Sequence, residues 1–119
     1  KVPEGRRHVD LAMRLSPLDP LYYAMLGTRG FTHLALGEDA EAAAWTERAA
    51  RSPGAHVLIA MIAAVAHSLN GDPERALHWA ANVRERDPTL TRADFFRAFP
   101  MKLATMRTRV SRALAGSGF

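Results

Sequence analysis

The chain has 119 residues and no cysteine, which excludes disulfide frameworks, thiolate zinc sites and cysteine nucleophiles. Hydrophobic residues make up 48% of it and charged residues 24%, a balance that excludes a disordered tail, and no apolar run reaches the roughly 20 residues that a membrane-spanning helix needs. The net charge of +4, from 16 basic and 12 acidic residues, is at the level that keeps a domain soluble and points to no particular partner.

Alanine is the residue in greatest excess and occupies 22 positions. Because alanine has the highest helix propensity and a small side chain, this excess predicts helices that pack closely together. The chain begins at Lys1 with no initiator methionine and no apolar leader, so we expect it to be a segment of a longer protein.

Proline, glycine and capping residues divide the chain into seven predicted helices. Asp72 before Pro73 is a strong helix start, and Thr91 with Asp94 three residues later is a capping-box pattern. No stretch alternates apolar and polar residues as a half-buried strand does, so the predicted fold class is all-α. Residues 116–119 are expected to fray. In chain order, the predicted helices are Glu4–Leu15, Leu21–Leu36, Asp39–Arg51, Ala55–Leu69, Pro73–Arg86, Thr91–Phe99 and a last helix from about Pro100 to about Ala115.

The middle of the chain repeats itself with a period of 34 residues. Each period contains two predicted helices, so the repeating unit is a helix–turn–helix pair. A shift of one period also brings the two tryptophans of the chain onto each other. The matched pairs are His33 with His67, Gly37 with Gly71, Ala42 with Ala76, and Trp45 with Trp79.

Small residues recur where the two helices of each period must approach each other. They are Gly30, Ala42 and Ala49 in the first period and Ala64, Ala76 and Val83 in the second, with Pro53 and Pro88 closing the two units. A 34-residue helix pair with this pattern resembles the tetratricopeptide repeat (TPR). The resemblance implies an α-solenoid of antiparallel helix pairs with a C-terminal capping helix, and it places Trp45 and Trp79 in the core between helices.

Under this resemblance the chain is a single TPR-like domain in four parts. Residues 4–17 form the second helix of a truncated repeat, residues 20–53 and 54–88 form two repeats, and residues 89–119 form the capping helices. Repeat arrays need a cap at their ends. The truncated start is expected to present apolar residues to further repeats or to a second copy of the chain. These residues are Val9, Leu11, Met13 and Leu15.

Two stretches, 14–20 and 99–119, are similar to the C-terminal TPR segments of bacterial multidomain regulators. These regulators include class III adenylate and guanylate cyclases and winged-helix transcriptional regulators. The resemblance implies a cytoplasmic, non-catalytic interaction segment that regulates or oligomerises a larger signalling protein such as an adenylate cyclase. The chain has no glycine-rich nucleotide motif and no nucleophile–base–acid set, so we expect neither a cofactor nor a catalytic residue.

In the family that the chain resembles, the first helix of each repeat lines a concave groove that takes peptides or partner helices. Here that surface is almost wholly apolar, and an apolar stripe this broad is normally covered. The chain's own C-terminal helix, a second copy or an amphipathic partner helix could cover it, and we favour the first. The expected groove residues are Phe31, Leu34, Leu58, Met61, Ile62, Val65 and Leu69.

Residues 101–119 contain four basic residues and no acidic one. Lys102, Arg109 and Arg112 gather on one face of the last predicted helix, away from its apolar positions. We expect a capping helix with a solvated basic side. The alternatives are contact with an acidic partner, with an anionic membrane surface, or with nucleic-acid phosphates as in a transcriptional regulator. The apolar positions of this helix are Leu103, Met106, Val110 and Leu114.

Three of the five histidines, His33, His67 and His78, are the candidates for metal ligands. A zinc site needs three or four converging ligands, and the chain has no histidine pair at four-residue spacing and no evident carboxylate set beside these rings. We therefore predict that His33 and His67 are packing residues, and we predict no metal site.

Overall fold

The structure is a computed structural model that describes residues 20–119. This part of the chain is all-α, with six helices and no strand, as the sequence predicts. The helices are α1 (Pro20–Ala35), α2 (Asp39–Ala50), α3 (Val57–Leu69), α4 (Pro73–Arg86), α5 (Arg92–Ala98) and α6 (Ala104–Gly116). The helix predicted for Glu4–Leu15, and the self-association surface predicted on it, lie outside the described residues.

The first helix of each repeat ends in the same way. Gly37 after α1 and Gly71 after α3 have φ values of 74° and 76°, a left-handed conformation that glycine adopts without steric cost. In the turn after α1, the Glu38 amide donates to the His33 carbonyl at 2.9 Å. In the turn after α3, the Asp72 amide donates to the equivalent His67 carbonyl at 2.9 Å. Both are Schellman motifs, and they lie one 34-residue period apart.

Capping side chains begin α4 and α5 as predicted. The Asp72 carboxylate accepts from the Arg75 amide, with Pro73 in the first turn of α4. At the start of α5, Thr91 and Asp94 form a capping box in which each side chain accepts from the other residue's amide.

Two predicted helix starts are too early in the chain. Helix α3 begins at Val57 because His56 is its N-cap, with Nδ1 accepting from the Leu58 amide at 3.1 Å. Helix α6 begins at Ala104, since residues 100–103 are not helical and Met101 is buried against the core. Burial of the Met101 side chain against the core therefore lengthens the connection between α5 and α6 by several residues.

The C-terminal residues pack on the molecule, so the predicted fraying is wrong. Gly118 has a φ of 93°, and the Phe119 amide donates to the Leu114 carbonyl at 2.8 Å, which closes α6 with a third Schellman motif. The Arg84 guanidinium of α4 lies 4.9 Å from the Phe119 ring centroid and donates to the Ser117 carbonyl. Contact with α4 therefore keeps these residues in place.

Packing proceeds mainly between neighbours along the chain: α1 contacts α2, α2 contacts α3 and α3 contacts α4. Helix α6 then folds back onto α3. The small positions of the repeats are at the helix contacts. A Cβ on Gly30 would lie 2.5 Å from Cγ2 of Thr46, so α1 and α2 approach as closely as glycine permits. The other small or compact residues named for the two periods are also buried: Ala42, Ala49, Ala64, Ala76 and Val83.

Helix α3 is the centre of the core, with residues 60–65 all at most 1% exposed. Trp79 of α4 is buried as expected, but Trp45 of α2 is only half-buried, which corrects its predicted place in the core. Two guanidinium groups lie over its ring, that of Arg29 at 4.0 Å and that of Arg48 at 4.8 Å from the ring centroid. Cation–π contacts of this kind stabilise a ring that is only partly buried.

Candidate functional site

The structure divides the seven expected groove residues into two groups. Leu34, Met61, Ile62 and Val65 are at most 1% exposed and belong to the core. The other three, Phe31 on α1 with Leu58 and Leu69 on α3, are half-buried and pack against that core. Four of the seven expected groove residues therefore lie in the interior of the described part of the chain.

The C-terminal segment covers part of this face. Val110 and Leu114 of α6 are at most 1% exposed, and α6 packs on α3. Phe99, at the end of α5, stacks on Phe31 with the ring centroids 5.7 Å apart, and Phe95 lies 5.1 Å from Phe99. Leu103, by contrast, is 67% exposed and takes no part in the packing face predicted for the last helix.

A cleft of about 310 Å³ remains open between α1, α3 and the Phe99 ring. Gly27 lets α3 come close, because a Cβ there would lie 3.1 Å from Cδ1 of Ile59. Thr28 is the polar residue of the rim, and its hydroxyl already donates a hydrogen bond to the Ala24 carbonyl at 2.8 Å. The walls are therefore apolar and suited to hydrophobic side chains. The lining residues are Ala24, Gly27, Thr28, Phe31, Ile59, Ile62 and Phe99.

The three residues predicted for the basic face have different surroundings. Arg109 donates to the Asp39 carboxylate at 2.8 Å and so links α6 to the first turn of α2. Arg112 lies three residues further along the same side of α6 and is exposed. Lys102 is also exposed but precedes α6. One of the three charges is thus used inside the fold, and the remaining two do not lie on one helix.

A polar network connects α2, α3 and α4. Oε1 of Glu47 on α2 accepts from Trp79 Nε1 of α4 at 2.8 Å and lies 2.7 Å from His67 Nε2 of α3. Arg75 lies 4.0 Å from the same oxygen. Sequence reasoning missed this carboxylate, because residues 20 and 32 positions away from it along the chain supply its partners.

The pKa of Glu47 reflects a balance of opposing effects. Partial burial raises it, since desolvation disfavours the charged form. The hydrogen bonds from Trp79 and His67, together with the charges of His67 and Arg75, outweigh burial and hold the pKa of Glu47 below its ordinary value. The carboxylate oxygen Oε1 therefore links α2 to both α3 and α4.

The histidines considered as metal ligands do not meet. His67 contacts Glu47, whereas His33 Nδ1 lies 2.8 Å from Glu38 Oε1, and His78 is an exposed residue beside the Trp79 ring. Within residues 20–119, one group of three side chains has donor atoms close enough to share a metal ion, and its members are His33, Glu38 and Glu41. The sequence analysis found no carboxylate set beside these rings, because Glu38 and Glu41 lie five and eight residues after His33, beyond the turn that ends α1.

No family model matches the chain, and neither the curated proteins nor the solved structures include a match to it. In the part of the chain that the structure describes, every helix is too short or too polar to cross a lipid bilayer.

Proposed function

We propose that this chain is a TPR-like protein–protein interaction module that receives apolar side chains of a partner helix or peptide in the cleft between α1, α3 and Phe99. The cleft itself carries the proposal. It has apolar walls, it opens at the surface, and at about 310 Å³ it lies in the size range of natural ligand pockets.

The TPR-like arrangement is supported by the recurrence of geometry at the sequence period. The two Schellman turns at Gly37 and Gly71, the buried rings of His33 and His67, and the contacts between consecutive helices all repeat with it. An array of helix pairs presents the first helices side by side, which is where α1 and α3 form the cleft.

The partner we propose is an amphipathic segment with one or two large apolar side chains. Phe31, Ile59 and Phe99 offer it two aromatic rings and one aliphatic side chain, whereas a charged segment would find no counter-charge among the lining residues. Recognition through a few apolar anchors at helical spacing is one of the recurring modes of peptide binding.

The test is selection of helical peptides from a random library on the module, followed by binding measurements with Thr28→Arg. Thr28 is an exposed rim residue, so arginine there blocks the entrance without disturbing the core. We expect the selected peptides to lose about tenfold or more in affinity, since an arginine side chain across the entrance excludes the apolar anchors. Thr105→Arg on α6 is the matched control, an exposed threonine that is not among the residues lining the cleft. Peptides that bind both variants as well as the unchanged chain would refute the cleft as the site.

The second candidate function is binding of nucleic-acid phosphates by the C-terminal helices. The exposed Lys102 and Arg112 favour it, but Arg97 and Arg109 are paired with Asp94 and Asp39. Lys102→Glu with Arg112→Glu tests it by fluorescence anisotropy with labelled DNA and RNA at about 0.15 M salt, where screening leaves only close phosphate contacts. Loss of measurable binding in the double variant would favour this function, and absence of binding by the unchanged chain would exclude it.

The cellular setting that we propose is the bacterial cytoplasm, with the module as a regulatory or oligomerising segment of a larger signalling protein such as an adenylate cyclase. The similarity of residues 14–20 and 99–119 to such segments supports it. The coding sequence upstream of Lys1 tests the setting, because a cyclase or winged-helix domain there identifies the parent. Light scattering tests oligomerisation, and a strict monomer at high concentration would contradict it.

A further inference from the structure

We propose that the corner between α1 and α2 binds a divalent transition-metal ion, of which zinc is the best example, through His33, Glu38 and Glu41. Each of the three residues offers one donor atom, and the three donor atoms lie within 4.8 Å of one another. Nδ1 of His33 and Oε1 of Glu38 are 2.8 Å apart.

The backbone holds these donors in place. His33 and Glu38 are joined by the Schellman hydrogen bond between the Glu38 amide and the His33 carbonyl, at 2.9 Å. The His33 side chain is 2% exposed, so neighbouring atoms fix its ring, and the Glu38 side chain is 38% exposed. Glu41 follows in the first turn of α2 and is exposed. The group therefore has a buried nitrogen donor on one side and solvent on the other.

The donor set has the chemistry of a zinc-class site. One imidazole nitrogen and two carboxylate oxygens suit zinc and the neighbouring first-row metals, and three protein ligands leave a fourth position open to water. Zinc bonds of about 2.0–2.2 Å require donors about 3.3 Å apart in a tetrahedron, so small side-chain rotations bring this group into range. Two carboxylates also neutralise the charge of a divalent ion.

The second repeat shows that the fold does not require this arrangement. A shift of 34 residues takes His33, Glu38 and Glu41 to His67, Asp72 and Arg75. There the arginine pairs with Asp72, with Nε 3.5 Å from Oδ2, and His67 turns to Glu47. Both periods have the same Schellman turn, but two carboxylates lie beside the buried histidine only in the first one.

Glu41 distinguishes a metal site from a simple hydrogen bond. If His33 only needs a hydrogen-bond partner, Glu38 supplies it, and Glu41 is a surface residue without consequence. If the three residues bind a metal ion, the Glu41 carboxylate is one of three ligands, and its loss weakens binding strongly. Because Glu41 is exposed, its replacement leaves the core unchanged.

The experiment is isothermal titration of the tag-free chain with zinc chloride. We expect saturable binding of one ion. Glu41→Gln should reduce the affinity about tenfold or more, because loss of a residue that only supports a metal ligand already weakens binding by that much. Glu74→Gln is the matched control, because Glu74 is an exposed acid in the first turn of α4. It should bind as the unchanged chain does.

Histidine resonances provide the second readout. In long-range proton–nitrogen spectra, stoichiometric zinc should shift the ring signals of His33 and leave those of the other four histidines in place. Equal affinities of Glu41→Gln and Glu74→Gln, binding that does not saturate, or an unmoved His33 signal would each overturn the proposal.

Discussion

Gly30 sets the distance between α1 and α2. A Cβ at this position would lie 2.5 Å from Cγ2 of Thr46 and 3.1 Å from its backbone nitrogen. The Thr46 methyl group cannot turn away freely, because the Thr46 hydroxyl donates a hydrogen bond to the Ala42 carbonyl at 2.7 Å and the residue is fully buried. The close approach is therefore a property of the native packing that a methyl group would disturb.

We predict that Gly30→Ala lowers the free energy of unfolding by about 1–3 kcal/mol, although alanine has the higher helix propensity, because an added methyl group strains a packed contact. Urea denaturation measures the change. Gly116→Ala is the control, since a Cβ there meets nothing within 4 Å, and it should leave stability unchanged or slightly higher. Equal effects of the two substitutions would show that the contact can relax.

The Glu47 side chain joins α2 to both α3 and α4. Its Oε1 is the shared acceptor for buried Trp79 and His67. We predict that Glu47→Ala lowers the free energy of unfolding by about 2–3 kcal/mol, because it leaves two buried donors without a partner. Tryptophan fluorescence follows the unfolding. Glu85→Ala, at an exposed position of α4, should change stability by less than about 0.5 kcal/mol.

The pH dependence of stability follows from the same carboxylate. Because the folded-state pKa of Glu47 lies below the ordinary value of 4.5, its contribution is present above pH 4.5 and is lost as the pH falls through the folded-state value. We therefore predict that the difference in stability between the unchanged chain and Glu47→Gln shrinks as the pH is lowered below 4.5. Denaturation at pH 7 and at several values below 4.5 measures it, and a constant difference would contradict the prediction.

At the scale of elements, α6 is held by apolar contacts and by arginine contacts. Leu114 and Val110 are buried against the core, and Arg109 is paired with Asp39 across to α2. The two kinds of contact differ in strength. The Arg109 and Asp39 side chains are 44% and 22% exposed, so solvent screens their ion pair, whereas Leu114 loses all its contact with water.

We predict that Leu114→Ala lowers the free energy of unfolding by about 2–4 kcal/mol, whereas Arg109→Ala lowers it by less than about 1 kcal/mol. Amide hydrogen exchange of α6 measures the effect of each substitution, because the helix exchanges faster when lost packing makes its local opening easier. A larger effect of Arg109→Ala would mean that the ion pair, and not burial, docks the helix.

The bounds of the helices were predictable because they depend on near neighbours in sequence. The glycine turns after α1 and α3 and the capping residues Asp72 and Thr91 act within five residues of themselves. Two of the errors fell where distant contacts intervene, whereas the late start of α3 is set by its local N-cap, His56. Met101 is buried and delays α6, and Arg84 holds the terminal residues that were expected to fray.

At the scale of the whole molecule, α3 is the helix on which the rest of the described chain depends. It contacts α1, α2, α4 and α6, and its residues 60–65 are all buried. Because the last helix closes back onto α3, the ends of the described region share one core.

We predict that this region unfolds in one cooperative transition. Tryptophan fluorescence, which reports on α2 and α4, and far-ultraviolet circular dichroism, which reports on all the helices, should give the same urea midpoint. A separate early transition in the dichroism would show that α6 unfolds independently of α3.

The candidate cleft was predictable only in part. The resemblance to the tetratricopeptide repeat led us to expect an apolar stripe on the first helices of the two periods, α1 and α3. It could not decide that Met61 and Val65 are core residues while Phe31 remains at a surface cleft, because that depends on where Phe99 and α6 come to rest.

Local sequence patterns were enough to predict the all-helical class, the 34-residue period and most of the helix ends in the described region, because hydrogen bonds and steric limits among near neighbours control them. The pairing of Glu47 with His67 and Trp79, and of Arg109 with Asp39, depends on the tertiary structure. Such contacts join residues 20 to 70 positions apart, and they depend on the relative placement of packed helices, which no local pattern specifies.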